Sequence, residues 1–219
     1  MIQAILFDVD GTLLDTEKIY MQAWKVAGKE FGYEVSDETL LKTRAVNRTI
    51  AKERFKEGCG EDFPYDEVQK ARVRIAEEMI AASAKEDLCK PGVIEAMTAL
   101  KNAGYKFAAA SSTPYKLSVD HLTHSGLFDF FDVIVCGDMV EHGKPAPDIF
   151  LKAAEMISVP KENCIVVGDS PADVFSASNG EIPVILIPDR VPANAETTAL
   201  SVKVLTEIKE LPAAIAALQ

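Results

Sequence analysis

Ala4-Ile5-Leu6-Phe7-Asp8-Val9-Asp10-Gly11-Thr12-Leu13-Leu14 is the stretch from which the rest of the chain is read. Its first four residues form an apolar run of strand length, the pattern of a buried strand. Two carboxylates two residues apart then leave the strand edge and enter a Gly turn. Their like charges repel, so either one stays protonated or a cation sits between them. Asp-Gly is also a common turn pair, and taken alone it is the simpler account. The alternative is an enzyme in which one Asp attacks phosphorus, its neighbour handles protons and Mg²⁺ absorbs the excess charge.

Outward from this stretch, short apolar runs alternate with amphipathic ones. The runs Ala4–Phe7, Phe107–Ala110, Val133–Cys136, Ile165–Val167 and Val184–Ile187 read as strands. Val93–Asn102, Tyr115–His124, Pro147–Ile157 and Pro171–Ser178 read as helices, with a terminal helix at Pro212–Leu218. That alternation predicts an α/β fold, a Rossmann-like parallel sheet flanked by helices with right-handed crossovers. In such sheets ligands bind beyond the carboxyl ends of the strands. The strands run into Asp8, Ser111-Ser112-Thr113, Gly137-Asp138, Gly168-Asp169-Ser170 and Pro188-Asp189, so small, polar and acidic residues recur at one edge.

Residues 15–89 differ. They carry helical periodicity, as in Tyr20–Phe31 and Val68–Ala82, and no convincing strand. They return to the core at the breaker sequence Cys89-Lys90-Pro91-Gly92. The expected organisation is a core of residues 1–14 and 90–219 with a small all-helical cap, residues 15–89, inserted after the first strand. Linkers near Asp15 and Glu86 would make a hinge; the competing reading is a helical hairpin packed firmly on the core. Trp24, with Tyr20 and Phe31, is expected to form the inner packing of the cap; the alternative for Tyr20 is a substrate residue facing the active-site crevice.

Composition sets the outer bounds. The 219 residues are 48% hydrophobic, enough for a packed interior. The net charge of −11, with no long basic run, argues against nucleic acid or an anionic membrane as partner. A phosphorylated substrate would need local positive charge from a few Lys or Arg and a metal. No apolar segment is long enough to span a bilayer, and the start lacks a basic region followed by an apolar stretch, which points to the cytoplasm. Cys59, Cys89, Cys136 and Cys164 are scattered, with no CxxC pair, so neither structural zinc nor a thiol nucleophile is expected.

Three further elements carry chemistry. Ser111, with Ser112 and Thr113 behind it, ends a strand where a hydroxyl and backbone N–H groups could hold a phosphoryl oxygen; Ser-Ser-Thr-Pro is equally an ordinary helix start. Gly143-Lys144-Pro145-Ala146-Pro147-Asp148 presents Lys144 from a loop stiffened by two prolines, and a compact ammonium suits a phosphate. Gly168-Asp169-Ser170-Pro171-Ala172-Asp173 places Asp169 at a strand end and Asp173 one turn along the next helix. With Asp8 these offer hard oxygen ligands for Mg²⁺, or else they merely cap a helix. His142 reads as a partly exposed loop residue.

This set, in this order, resembles the haloacid dehalogenase-like superfamily over the whole chain. Lys144 in its Gly-Lys-Pro-Ala-Pro-Asp setting and Gly168-Asp169-Ser170 with Asp173 are similar to the subgroup of sugar-phosphate phosphatases and beta-phosphoglucomutases. The resemblance implies that Asp8 is the nucleophile, forming an aspartyl-phosphate, and that Asp10 protonates the leaving oxygen and then activates the attacking water or sugar hydroxyl. It implies that Ser111, Ser112 and Lys144 bind the transferring phosphoryl group. It places Mg²⁺ on Asp8, the backbone carbonyl of Asp10 and Asp169, with Asp173 near the metal shell.

Asp10 favours phosphomonoester chemistry, since dehalogenases of the superfamily generally lack a second Asp there. Tyr20, where mutases usually carry His, together with Thr12-Leu13 and Gly168, leans to a phosphatase. Arg44-Ala45-Val46-Asn47-Arg48 resembles the cap loop with which mutases hold a second phosphate, so Arg48 is either a substrate residue or a solvated helix residue. The expected function is a Mg²⁺-dependent phosphatase acting on a small phosphorylated sugar or related metabolite. The alternative is a phosphomutase, and a third reading is a non-catalytic phosphometabolite sensor. The subgroup is often monomeric, and a monomer is expected.

Overall fold

The computed structural model describes residues 1–43 and 48–219; Arg44 to Asn47 of the predicted cap loop lie outside the described residues. Strand β1 (Ala4–Phe7) is followed by four helices, α1 (Thr16–Glu30), α2 (Asp37–Lys42), α3 (Arg48–Cys59) and α4 (Tyr65–Ala82). A short α5 (Lys85–Leu88) and α6 (Val93–Asn102) lead to β2 (Lys106–Ser111), α7 (Tyr115–Ser125) and β3 (Val133–Cys136). Then come α8 (Asp148–Met156), β4 (Cys164–Gly168), α9 (Pro171–Asn179) and β5 (Val184–Leu186), and last α10 (Ala195–Leu200), β6 (Lys203–Val204) and α11 (Leu211–Ala216).

The six strands form one parallel sheet in the order β3-β2-β1-β4-β5-β6. β1 lies between β2 and β4, with both faces covered, which is why its sequence is a continuous apolar run rather than an alternating one. Period-2 geometry sends alternate residues to opposite layers. Ile5, Phe7, Phe107, Ile165 and Val167 enter one core; Ala4, Leu6, Ala108, Cys164 and Val166 enter the other. Each fully buried Ile, Leu or Phe contributes roughly 1.5–3 kcal/mol relative to exposure. β6 was not expected from the sequence: two residues are too few to show a period.

The chain divides into two compact units, Met1–Asp15 with Lys85–Gln219, and Thr16–Ala84. In the sheet unit the outgoing and returning segments are bonded to each other, Asp15 N–H to Leu88 O at 2.8 Å and Lys90 N–H to Leu13 O at 2.9 Å. The helical unit packs α1 along α4 around an aromatic cluster. Trp24 lies 4.3 Å from Phe55, which stacks on Phe63 at 5.2 Å. Phe31 departs from expectation: it is 41% exposed, because α1 ends at Glu30 and the following turn faces outward. Phe55, Phe63 and Tyr65 supply the packing instead.

Candidate active site

β1 delivers Asp8 to the sheet edge, where its N–H still bonds Val167 O at 2.8 Å and extends the ladder by one residue. The chain then turns back within six residues, with Leu13 N–H on Val9 O and Gly11 N–H on Leu14 O. Gly11 has φ of +92°, and a Cβ there would stand 2.7 Å from Asp169 Oδ2. Only glycine combines that conformation with such an approach.

Three carboxylates, Asp8, Asp169 and Asp173, bring oxygens within 4.8 Å of one another. Lys144 is the cation set among them, only 4% exposed at its side chain. Its Nζ donates to Asp8 Oδ1 at 2.5 Å and to Ala110 O at 2.9 Å, and lies 2.7 Å from Asp173 Oδ1 as an ion pair. The lysine loop is held by α9: Ser176 Oγ donates to Ala146 O and Asn179 Nδ2 to Pro145 O. Asp173 uses its other oxygen to cap the same helix, accepting from Ser170 N–H and Oγ–H. Asp173 therefore caps α9 with one oxygen and faces Lys144 with the other.

Thr12, read from the sequence only as leaning to a phosphatase, has its hydroxyl 3.2 Å from Asp8 Oδ2 and 3.0 Å from Asp169 Oδ1. Burial raises the pKa of Asp8 from 3.8 to about 7, with the charge of Asp173 adding to it and Lys144 opposing. Burial and the charges of Asp8 and Asp173 push Asp169 to about 9. Burial would lower the pKa of Lys144, but Asp173 and Asp8 outweigh it and hold the ammonium charged above its ordinary range. Three carboxylates against one ammonium leave negative charge that protons or a divalent cation must cover. The donor set is entirely hard oxygen, which fits Mg²⁺.

Asp10 is held by hydroxyls from the end of β2, Ser111 Oγ at 3.2 Å and Thr113 Oγ1 at 2.9 Å, both on Oδ2. Ser111 is fully buried, whereas Ser112 is exposed. The sheet unit thus brings together Asp8, Asp10, Ser111, Lys144, Asp169 and Asp173, and leaves the Ser112 side chain outside the cluster. Tyr20 and Arg48 belong to the helical unit. The Arg72 guanidinium lies 5.1 Å from the Tyr20 ring, and Arg48 Nη2 pairs with Asp66 at 2.8 Å, which also takes Lys52 at 2.7 Å. His142 is exposed and sits 3.2 Å from Asp148.

The family described as haloacid dehalogenase-like hydrolase matches residues 2–180. Protein CbbY of Rhodobacter capsulatus is 32% identical over 228 aligned positions, covering 96% of this chain and 99% of that protein. A phosphorylated carbohydrates phosphatase of Thermotoga maritima is 30% identical over 180 positions, 82% of each chain. Among solved structures, a mutant CbbY from Rhodobacter sphaeroides in complex with xylulose-(1,5)bisphosphate shares the fold with a TM-score of 0.76 at 25% identity, covering 96% of both chains.

Proposed function

The chain belongs to the haloacid dehalogenase-like hydrolases, and from that membership we propose that it is a Mg²⁺-dependent phosphatase of a small phosphorylated sugar or related phosphomonoester. The observation that carries this reading is a buried, connected network. Lys144 bridges Asp8 and Asp173, Thr12 lies within hydrogen-bond reach of both Asp8 and Asp169, and Asp10 is held apart by two hydroxyls. A binding protein has no use for a nucleophile and a separate proton carrier. The sugar-phosphate class is supported by what the Thermotoga maritima and Rhodobacter sphaeroides relatives are described as acting on or binding.

In this reading a carboxylate oxygen of Asp8 attacks phosphorus, the ester P–O bond breaks, and the leaving oxygen takes a proton from Asp10. Asp10, now a carboxylate, takes a proton from water as the water oxygen bonds phosphorus and the Asp8–phosphorus bond breaks. Inorganic phosphate leaves, and both side chains return to their starting states. Lys144 stays charged throughout, beside the attacking oxygen, where the phosphoryl oxygens arrive; the burden is positioning and charge neutralisation. Asp8, the backbone carbonyl of Asp10 and Asp169, with Asp173 near the metal shell, would hold Mg²⁺, which would supply charge neutralisation and orientation at the phosphoryl oxygens. In this reading the Thr16–Ala84 unit is the cap domain.

A phosphomutase would use the same intermediate. The observation favouring it is the pairing of Arg48 and Lys52 on the one carboxylate of Asp66, a cation pair suited to a second phosphate. The test is phosphate release from a panel of sugar phosphates with Mg²⁺, with Asp8→Asn as blank. Fast release from one or a few members supports the phosphatase. Negligible release with conversion of glucose 1-phosphate to glucose 6-phosphate, primed by a bisphosphate, means a mutase.

A further inference from the structure

Ser111-Ser112-Thr113-Pro114 has the composition of a helix start, where hydroxyls would cap the first turn of α7. The structure uses them otherwise. Pro114 stands at the N-cap position without a side-chain cap, and the first helical N–H, that of Tyr115, is taken by Asp138 Oδ1 at 2.9 Å. Ser118 Oγ donates to Thr113 O at 3.2 Å, so the Thr113 backbone is held from within α7. The Ser111 and Thr113 hydroxyls are thereby released from capping, and both turn to Asp10.

Their geometry is specific. Thr113 donates its backbone N–H to Ser111 Oγ at 3.0 Å. A hydroxyl has one proton and two lone pairs. With that N–H on the Ser111 oxygen, the Ser111 proton is directed to Asp10 Oδ2, 3.2 Å away. The Thr113 hydroxyl proton reaches the same Oδ2 at 2.9 Å.

We propose that Thr113 is a positioning residue for the proton transfers of Asp10: its hydroxyl bonds Oδ2, its backbone N–H orients the Ser111 hydroxyl onto the same oxygen, and together they fix the carboxyl's orientation. On this account the proton leaves Asp10 for the ester oxygen as the P–O bond breaks, and Asp10 takes it back from water in the second step. The proposal rests on the phosphatase reading above. It predicts that loss of the Thr113 hydroxyl matters in proportion to how badly the leaving group needs a proton.

The experiment compares kcat/KM for alkyl phosphates (ribose 5-phosphate, glucose 6-phosphate and glycerol 1-phosphate) with that for p-nitrophenyl phosphate, whose phenolate leaves without protonation. Thr113→Val should lower kcat/KM for those alkyl esters that the wild type hydrolyses by about 10- to 100-fold, part of the usual general-acid contribution. It should leave p-nitrophenyl phosphate within about threefold, a smaller loss than any general-acid effect. Thr113→Ser should recover the alkyl activity. Equal losses on both substrate types, or no loss on either, would overturn the proposal. If Thr113→Val fails to fold, Thr113→Ala removes the same hydroxyl and is read in the same way. Turnover of neither substrate type by the wild type, level with the Asp8→Asn blank, would instead bring down the phosphatase reading and the proposal with it.

Discussion

Lys144 illustrates how much one side chain decides. It donates to Asp8 and a backbone carbonyl and pairs in charge with Asp173, in a setting almost closed to water. Removing the ammonium leaves two buried carboxylates without their counter-ion, which typically costs about 3–5 kcal/mol. Lys144→Met is therefore expected to lower unfolding free energy by about that amount in metal-free buffer and to abolish most turnover; urea titration and phosphate release check it. A variant as stable and active as the parent would remove Lys144 from the account. The lysine was legible because two prolines and a glycine around it have no other evident purpose. Thr12 and Thr113 were named in the sequence but their partners were not, because these are carboxylates 157 and 103 residues away.

At the scale of elements, the strand-end residues were readable wherever a buried strand ran into polar sequence. β1 and β3 stand where their apolar runs placed them, while β2 and β4 extend by one residue at each end, β2 reaching Ser111 of the site and β4 reaching Gly168 just before Asp169. β6 escaped because pairing with β5, not its own composition, makes it a strand. The start of α7 escaped for a similar reason: Asp138, from the turn after β3, provides the cap that local sequence assigns to serine or threonine. In the helical unit the aromatic packing was anticipated in kind but not in membership. Phe31 follows the end of α1 and is exposed, while Phe55 and Phe63, spaced on separate segments, stack.

For the whole molecule, the acidic cluster ties folding to pH and to metal. Asp8 and Asp169 titrate at about 7 and about 9 in the fold, both far above the ordinary carboxylate, with burial the chief cause. Between about pH 4 and pH 9 the folded chain then binds more protons than the unfolded one, so the metal-free fold loses stability as pH rises through that window. On the proposed reading a divalent cation would displace those protons and remove the cost. Melting temperature in EDTA should fall between about pH 5 and pH 9, and the gain from Mg²⁺ should be larger at the alkaline end. A melting temperature indifferent to both would contradict the cluster's assignment.

The central claim is covalent: phosphorus passes through Asp8. The direct measurement is acid quenching during turnover, borohydride reduction and mass mapping of the peptides. An aspartyl-phosphate is reduced to homoserine, and the account predicts that product at position 8 alone, absent from Asp8→Asn. Reduction at another carboxylate, or none in an enzyme turning over at full rate, would contradict it.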